Sequence, residues 1–151
     1  RNGPLIPGEL RLMILVFSRC LFDTNTLIYL ANSPKMAQNL KNEFELDDSQ
    51  IIVTSQTRKE IEKLGMNYDS IIESVSEMLG CQIYDLELNS EIKSNAKFLN
   101  ESLKPLHCGD DAILSAAITT KSTLVTADRQ LAKCAKKLGC QVKMIQEDWY
   151  N

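Results

Sequence analysis

The chain has 151 residues, of which 44% are hydrophobic and 25% charged, with a formal net charge of -3. That length and balance suit one soluble domain with a real core, and the acidic balance is unfavourable for gripping nucleic acid over a wide surface, less so if the acids cluster in a metal site with the bases beside it. No apolar run reaches the ~18 residues of a membrane span, and five cysteines with no Cys-x-x-Cys pair exclude a disulfide framework or a zinc ribbon, leaving reduced thiols in a cytosolic protein as the simplest reading.

Arg1 to Leu10, with Gly3, Pro4, Pro7 and Gly8, reads as a flexible leader or a remnant of expression, and Met13 is a candidate native start. Residues 1–12 are therefore assigned to a leader and 13–151 to a single domain. The first strand is expected over Ser18 to Phe22, extended back through Ile14 to Phe17; its lack of alternation marks a strand covered on both faces. A helix follows from Thr24 to Asn32, and another from Pro34, suited to a first turn, to about Leu46, before a turn at Asp47-Asp48-Ser49. Ile51 to Thr54 is β-branched and reads as the second strand. Ser55 can cap a helix ended by Gly65. Asp69 to Leu79 is a helix stopped by Gly80, Gln82 to Leu86 a strand, and Asn89 to Leu103 a helix with Pro105 just past its end. After a loop at His107 to Gly109, a helix runs from Asp110 or Asp111 through Lys121, then a strand from Thr123 to Thr126, a helix from Asp128 to Leu138 ended by Gly139, and a last strand from Gln141 to Ile145. Strands alternating with helices imply a mostly parallel sheet with helices on both faces.

Carboxylates recur at the points where such a fold places its sites, the carboxyl ends of the strands. Asp23 closes the first strand and Asp128 follows the fourth; either can also simply cap the helix after it, and for Asp128 the cap is the stronger reading taken alone. Asp110 and Asp111 stand in a first helical turn, where the macrodipole favours acids without any catalysis; Asp111 shares a stripe with Leu114, Ser115 and Ile118 and leans toward the core. Glu60 neighbours Ile61 and Leu64, taken as the buried stripe of its helix, whereas Glu62 lies about 200° round and faces solvent. Jointly, these acids are the oxygen donors that Mg²⁺ and Mn²⁺ prefer, and ions so held serve phosphodiester cleavage.

Four stretches, Asp23-Thr24-Asn25, Ser55 to Leu64 with Glu60, Gly109 to Leu114 with Asp110-Asp111, and Thr126-Ala127-Asp128-Arg129-Gln130-Leu131, resemble in order the four acidic motifs of PIN-domain nucleases. The resemblance spans roughly Ser18 to Ile145 and implies a three-layer α/β/α sandwich. It implies a cytoplasmic endoribonuclease that hydrolyses RNA through one or two carboxylate-bound Mg²⁺ or Mn²⁺ ions. Asp23, Glu60, Asp111 and Asp128 match the acidic positions, Asp110 an extra metal-binding acid of some branches, and Asn25 and Thr126 supporting polar positions. Two branches fit: VapC-type toxins, silenced by an antitoxin, and ribosomal-RNA-processing proteins, partnered by ribosome-assembly proteins. Asp110-Asp111 and the Lys59 to Leu64 run lean toward the second. The alternative is a PIN-like nucleic-acid-binding or scaffold module whose acids are idle.

Arg129, Lys133, Lys136 and Lys137 fall on one face of the last long helix, opposite Leu131, Cys134, Ala135 and Leu138. They form either an ordinary solvated face or a stripe that tracks the phosphates of single-stranded or structured RNA, which Arg58, Lys59 and Lys63 would extend. His107, the single histidine, reads as a loop residue rather than a base or ligand. Trp149 and Tyr150 read as a packing anchor, with base stacking or self-association into a homodimer as alternatives. The absence of an Asp-x-Asp nucleophile and of a glycine-rich phosphate loop after the first strand argues against phosphatase and nucleotide-binding folds; a receiver-type domain is disfavoured because Lys143 lies within the expected last strand.

Overall fold

The computed structural model describes residues 18–43, 49–102, 110–146 and 149. The leader, the backward extension of the first strand, Asp47 and Asp48 of the expected turn, Pro105, the His107 to Gly109 loop and Tyr150 lie outside the described residues, whereas Ser49, the third residue of that turn, opens the second strand instead. Within them run, in chain order, β1 (Ser18–Phe22), α1 (Thr24–Asn32), α2 (Pro34–Glu43), β2 (Ser49–Thr54), α3 (Ser55–Lys63), α4 (Tyr68–Leu79), β3 (Ile83–Leu86), α5 (Ser90–Ser102), α6 (Asp110–Thr119), β4 (Thr123–Thr126), α7 (Arg129–Lys137) and β5 (Val142–Met144).

The five strands form one sheet in the order β3-β2-β1-β4-β5, every pair parallel. Side-chain alternation along each strand builds two cores. Cys20, Phe22, Ile51, Val53 and Val125 face one way and pack with Leu27, Leu30, Met36, Leu40, Ile61, Tyr68, Val75 and Leu79, so α1 to α4 cover that face. Leu21, Ile52 and Leu124 face the other way and pack with Ile92, Leu99, Ile113, Leu114, Leu131 and Cys134, so α5 to α7 cover the second face. The result is the α/β/α sandwich expected from the unbroken apolar strands. Right-handed crossovers explain the division: the chain steps from β1 to β3 in one direction, then returns to β4 and β5 in the other, which moves the helices to the opposite face. The reversal falls between β1 and β4, the switch point where open parallel sheets part their crossing loops.

Helix ends follow local chemistry. Gly65, Gly80 and Gly139 take left-handed φ of 78°, 67° and 80° where the sequence placed helix stops. The end of α6 was less legible. It stops at Thr119 rather than Lys121, because Lys121 adopts φ 55°. Lys121 N–H then donates to Ile118 C=O and Ser122 N–H to Ala117 C=O, the bond pattern of a left-handed helix stop built without glycine. α4 begins one residue earlier than expected, since Asn67, not a later residue, caps it by accepting from Ser70 N–H at 3.0 Å. Trp149 packs against the first core, and its carbonyl accepts from Asn39 at 3.1 Å, which makes it the anchor expected.

A candidate metal centre at the carboxyl ends of the central strands

β1 and β4 are neighbours, with Phe22 beside Val125 in register, so the residues that leave their carboxyl ends emerge together. Each strand hands the chain to a helix through an aspartate. Asp23 Oδ1 accepts from Thr26 N–H at 3.0 Å and caps α1; Asp128 Oδ1 accepts from Gln130 and Leu131 N–H at 2.9 and 3.1 Å and caps α7. Both cap readings are therefore realised. The caps use one oxygen of each carboxylate. Asp23 Oδ2 instead accepts from Thr126 Oγ1 at 2.5 Å, and Thr126 Oγ1 accepts from Asp128 N–H at 3.0 Å. One threonine hydroxyl thus links the two acids.

The electrostatics of this pair are unusual for a cap. Asp23 is only 5% exposed. Burial pushes its carboxyl above the ordinary aspartate range, the hydrogen bonds from Thr126 and Thr26 pull it part of the way back, and the charge of Asp128 raises it further. Among the described residues, no lysine or arginine is among the groups acting on it. A buried carboxylate beside a second acid, balanced only by neutral donors, is a donor set that fits a hard divalent cation.

The remaining acids are placed less closely. Glu60 is half-buried on α3, and its Oε1 accepts from Gln56 at 3.3 Å. Glu62 is exposed, as expected, and pairs with Arg58 at 3.3 Å. The stripe used to tell them apart needs correction: Ile61 is buried but Leu64 is 62% exposed. α3 ends at Lys63, and Leu64 already turns outward into the left-handed Gly65 stop; the buried pair is Thr57 and Ile61. Asp110 and Asp111 are both half-buried in the first turn of α6, and Asp111 Oδ1 accepts from Ala112 N–H at 2.9 Å. In the expected Asp111 stripe Leu114 and Ser115 are buried, but Ile118 is 38% exposed. Asn25 is exposed in the first turn of α1. Among the described residues, no three acids, histidines or cysteines stand close enough to form a metal-holding group.

Two hydroxyl contacts between these elements were not foreseen. Thr26 Oγ1 donates to Val125 C=O at 3.2 Å, tying α1 to β4, and Thr24 Oγ1 donates to Thr57 Oγ1 at 3.1 Å, tying α1 to α3. Their signal in the sequence was the threonines at 24, 26, 54 and 57, each within a few residues of an acid in two different motifs.

The basic face of α7 is as expected: Arg129, Lys133, Lys136 and Lys137 are exposed, while Leu131, Ala132, Cys134 and Ala135 are buried. Leu138, assigned to the apolar face, is 39% exposed because it sits at the helix stop before Gly139. Arg58 is otherwise engaged. Its guanidinium lies 4.8 Å from the Tyr68 ring centroid and 3.4 Å from Asp69, and Tyr68 Oη donates to Asp85, so this cluster fastens α3, α4 and β3. A hollow of about 260 Å³ lined by Phe98, Leu99, Ile118 and Leu138 among others includes none of the acids.

No sequence-family model matches the chain, and no curated protein sequence matches it. Solved structures do. VapBC2 from Rickettsia felis, bound to a DNA fragment from its promoter, aligns with a TM-score of 0.64 at 18% identity, over 85% of this chain and 99% of that one. VapBC-1 from nontypeable Haemophilus influenzae aligns at 0.61 and 20% identity, over 88% and 99%. A PilT N-terminus domain protein from the archaeon Sulfolobus solfataricus P2 aligns at 0.53 and 14% identity, over 87% and 90%. Identities this low speak for the fold.

Proposed function

We propose that this chain, which has the PIN-domain fold, is a Mg²⁺- or Mn²⁺-dependent endoribonuclease. The observation that carries the reading is the Asp23–Thr126–Asp128 arrangement at the switch point of the sheet, where a buried acid and its acidic neighbour have no fixed cationic partner among the described residues. Asp23 and Asp128 would hold a divalent ion, with Glu60 and Asp111, assisted by Asp110, as further ligands. Bound there, such an ion supplies a polarised phosphoryl oxygen and an activated water. The protein's own part is positional. Thr126 fixes the Asp23 carboxylate by donating to Oδ2, and the helix caps fix the Oδ1 atoms, so neither acid has rotamer freedom to lose on binding. Asn25, exposed beside Asp23, is a supporting polar contact for the substrate.

Arg129, Lys133, Lys136 and Lys137 lie on the helix that Asp128 opens and would carry the phosphates of single-stranded or structured RNA toward the acids. Replacing Lys133, Lys136 and Lys137 with alanine is expected to weaken RNA binding and to reduce the log–log salt slope by about 0.7 per lost phosphate contact. An unchanged slope in a fluorescence-anisotropy salt series makes the stripe ordinary surface.

The VapBC structures of Rickettsia felis and Haemophilus influenzae, and a toxin–antitoxin complex from Klebsiella pneumoniae at TM-score 0.55, support a toxin role with an antitoxin partner over the ribosomal-RNA-processing role. Cys20, Cys81, Cys134 and Cys140 are thiols rather than disulfides, which supports action in the reducing cytoplasm, and no helix among the described residues is long and apolar enough to cross a membrane.

The test is cleavage of a labelled single-stranded RNA by wild type and Asp111→Asn, each with Mn²⁺ or with EDTA. Wild type with Mn²⁺ alone is expected to cut. Equal cleavage in all four mixtures contradicts the proposal. A second reading, a PIN-like binding or scaffold module, draws on the fact that Asp23 and Asp128 both serve as caps; it predicts RNA binding with no cleavage in any mixture.

A further inference from the structure

The buried contact between Thr24 and Thr57 is not needed for packing. Thr24 is 7% exposed and Thr57 fully buried, on two helices whose Leu27 and Ile61 belong to the first apolar core. Two valines would fill the same shapes, and replacing both members of a buried hydrogen-bonded pair by apolar groups of like shape is close to neutral for stability. What valines cannot do is approach as closely. The two hydroxyl oxygens stand 3.1 Å apart, whereas two carbon atoms settle at about 3.5–4.0 Å. The hydroxyl pair therefore draws α1 and α3 together by several tenths of an ångström more than methyl groups would allow.

That closeness falls between two acids. Thr24 directly follows Asp23, and Thr57 precedes Glu60 by one helical turn. α1 is also tied to β4 by Thr26, whose hydroxyl donates to Val125 C=O at 3.2 Å, so a change at Thr24 moves the start of the helix relative to α3 about that anchor. Thr57 is fixed in turn, its N–H donating to Thr54 Oγ1 at 3.3 Å in the cap of α3. We infer that Thr24 and Thr57 are positioning residues whose hydroxyl pair sets the separation of Asp23 from Glu60 and so tunes the affinity of the site for a divalent cation. The inference rests on the metal-dependent reading above.

The experiment titrates Mn²⁺ by calorimetry into wild type, Thr57→Val, Thr57→Ser and the double variant Thr24→Val/Thr57→Val, and melts each in EDTA. The single valine variant strands the Thr24 hydroxyl and lowers the metal-free Tm; the double variant recovers it to within about 2–4 °C of wild type. Mn²⁺ affinity is expected to behave differently. It falls about 10–100-fold in both valine variants, the scale of losing an outer-shell contact, and stays near wild type in Thr57→Ser, which keeps the hydroxyl. A double variant that binds Mn²⁺ as wild type does overturns the inference and leaves the metal site standing. Thr57→Ser binding as poorly as Thr57→Val also overturns it, because the methyl group would then be responsible; this comparison holds even if the double variant does not fold. No Mn²⁺ binding by wild type overturns the metal reading and this inference together.

Discussion

Asp23→Asn is expected to lower RNA cleavage by orders of magnitude while making the metal-free protein more stable. Asparagine keeps the cap on Thr26 through Oδ1, puts an amide N–H that donates to Thr126 Oγ1 in place of Oδ2, and removes a carboxylate that is buried beside Asp128. Cleavage should fall by roughly 10²–10³-fold, the scale of removing one preorganised contact to developing charge. The stability gain has a definite pH signature. The folded-state pKa of Asp23 is raised, so between the unfolded and folded values the native state holds more protons than the unfolded one, and stability falls as pH rises through that window. Above it the penalty is fully present. Thermal melts in EDTA should show wild type losing stability as pH climbs past the ordinary aspartate range, with Asp23→Asn lacking that component. Each kcal/mol relieved is worth about 2–4 °C in a chain of this size. A metal-free Asp23→Asn that melts below wild type at neutral pH would mean that the hydrogen bonds to the Asp23 carboxylate outweigh the penalty of its burial.

At Asp128 the two roles can be separated by the choice of substitution. Its cap bonds to Gln130 and Leu131 both use Oδ1, and asparagine retains that acceptor. Asp128→Asn is therefore expected to cost little stability and to lose cleavage on the same scale as Asp23→Asn. Asp128→Ala removes the cap as well and should cost a further ~1 kcal/mol. Paired melting curves and single-turnover cleavage distinguish the cases: if Asp128→Asn cuts RNA as wild type does, Asp128 caps a helix and nothing more.

The parts of this fold that were legible in the sequence are those set by local pattern. Unbroken apolar strands such as Cys20-Leu21-Phe22 and Ile51-Ile52-Val53 announced a parallel sheet buried on both faces, and Gly65, Gly80 and Gly139 announced helix stops. Lys121 hid its stop because a lysine in the left-handed region carries no compositional mark. Leu64, Ile118 and Leu138 misled for a related reason. Periodicity assigns faces to an endless helix, whereas these residues lie in a last turn or at a stop, where the face turns out to solvent. Asp23 and Asp128 could be placed at strand ends from sequence, but their link through Thr126 could not, since it depends on β1 and β4 being neighbours although about 100 residues separate them in the chain. The Thr24–Thr57 contact is of the same kind: it joins two motifs that only the crossover brings side by side.

Calorimetric titration of Mn²⁺ into wild type and Asp23→Asn/Asp128→Asn at neutral pH tests the central claim most directly. Both proteins keep their helix caps, so the double variant differs in the two charges and in the bond that Thr126 donates to Asp23 Oδ2. Saturable binding by wild type, accompanied by a rise in Tm as the ion relieves the repulsion between the two acids, and neither effect in the double variant, is the predicted result. Equal heats and equal melting shifts in the two proteins, or no binding by either, would contradict it.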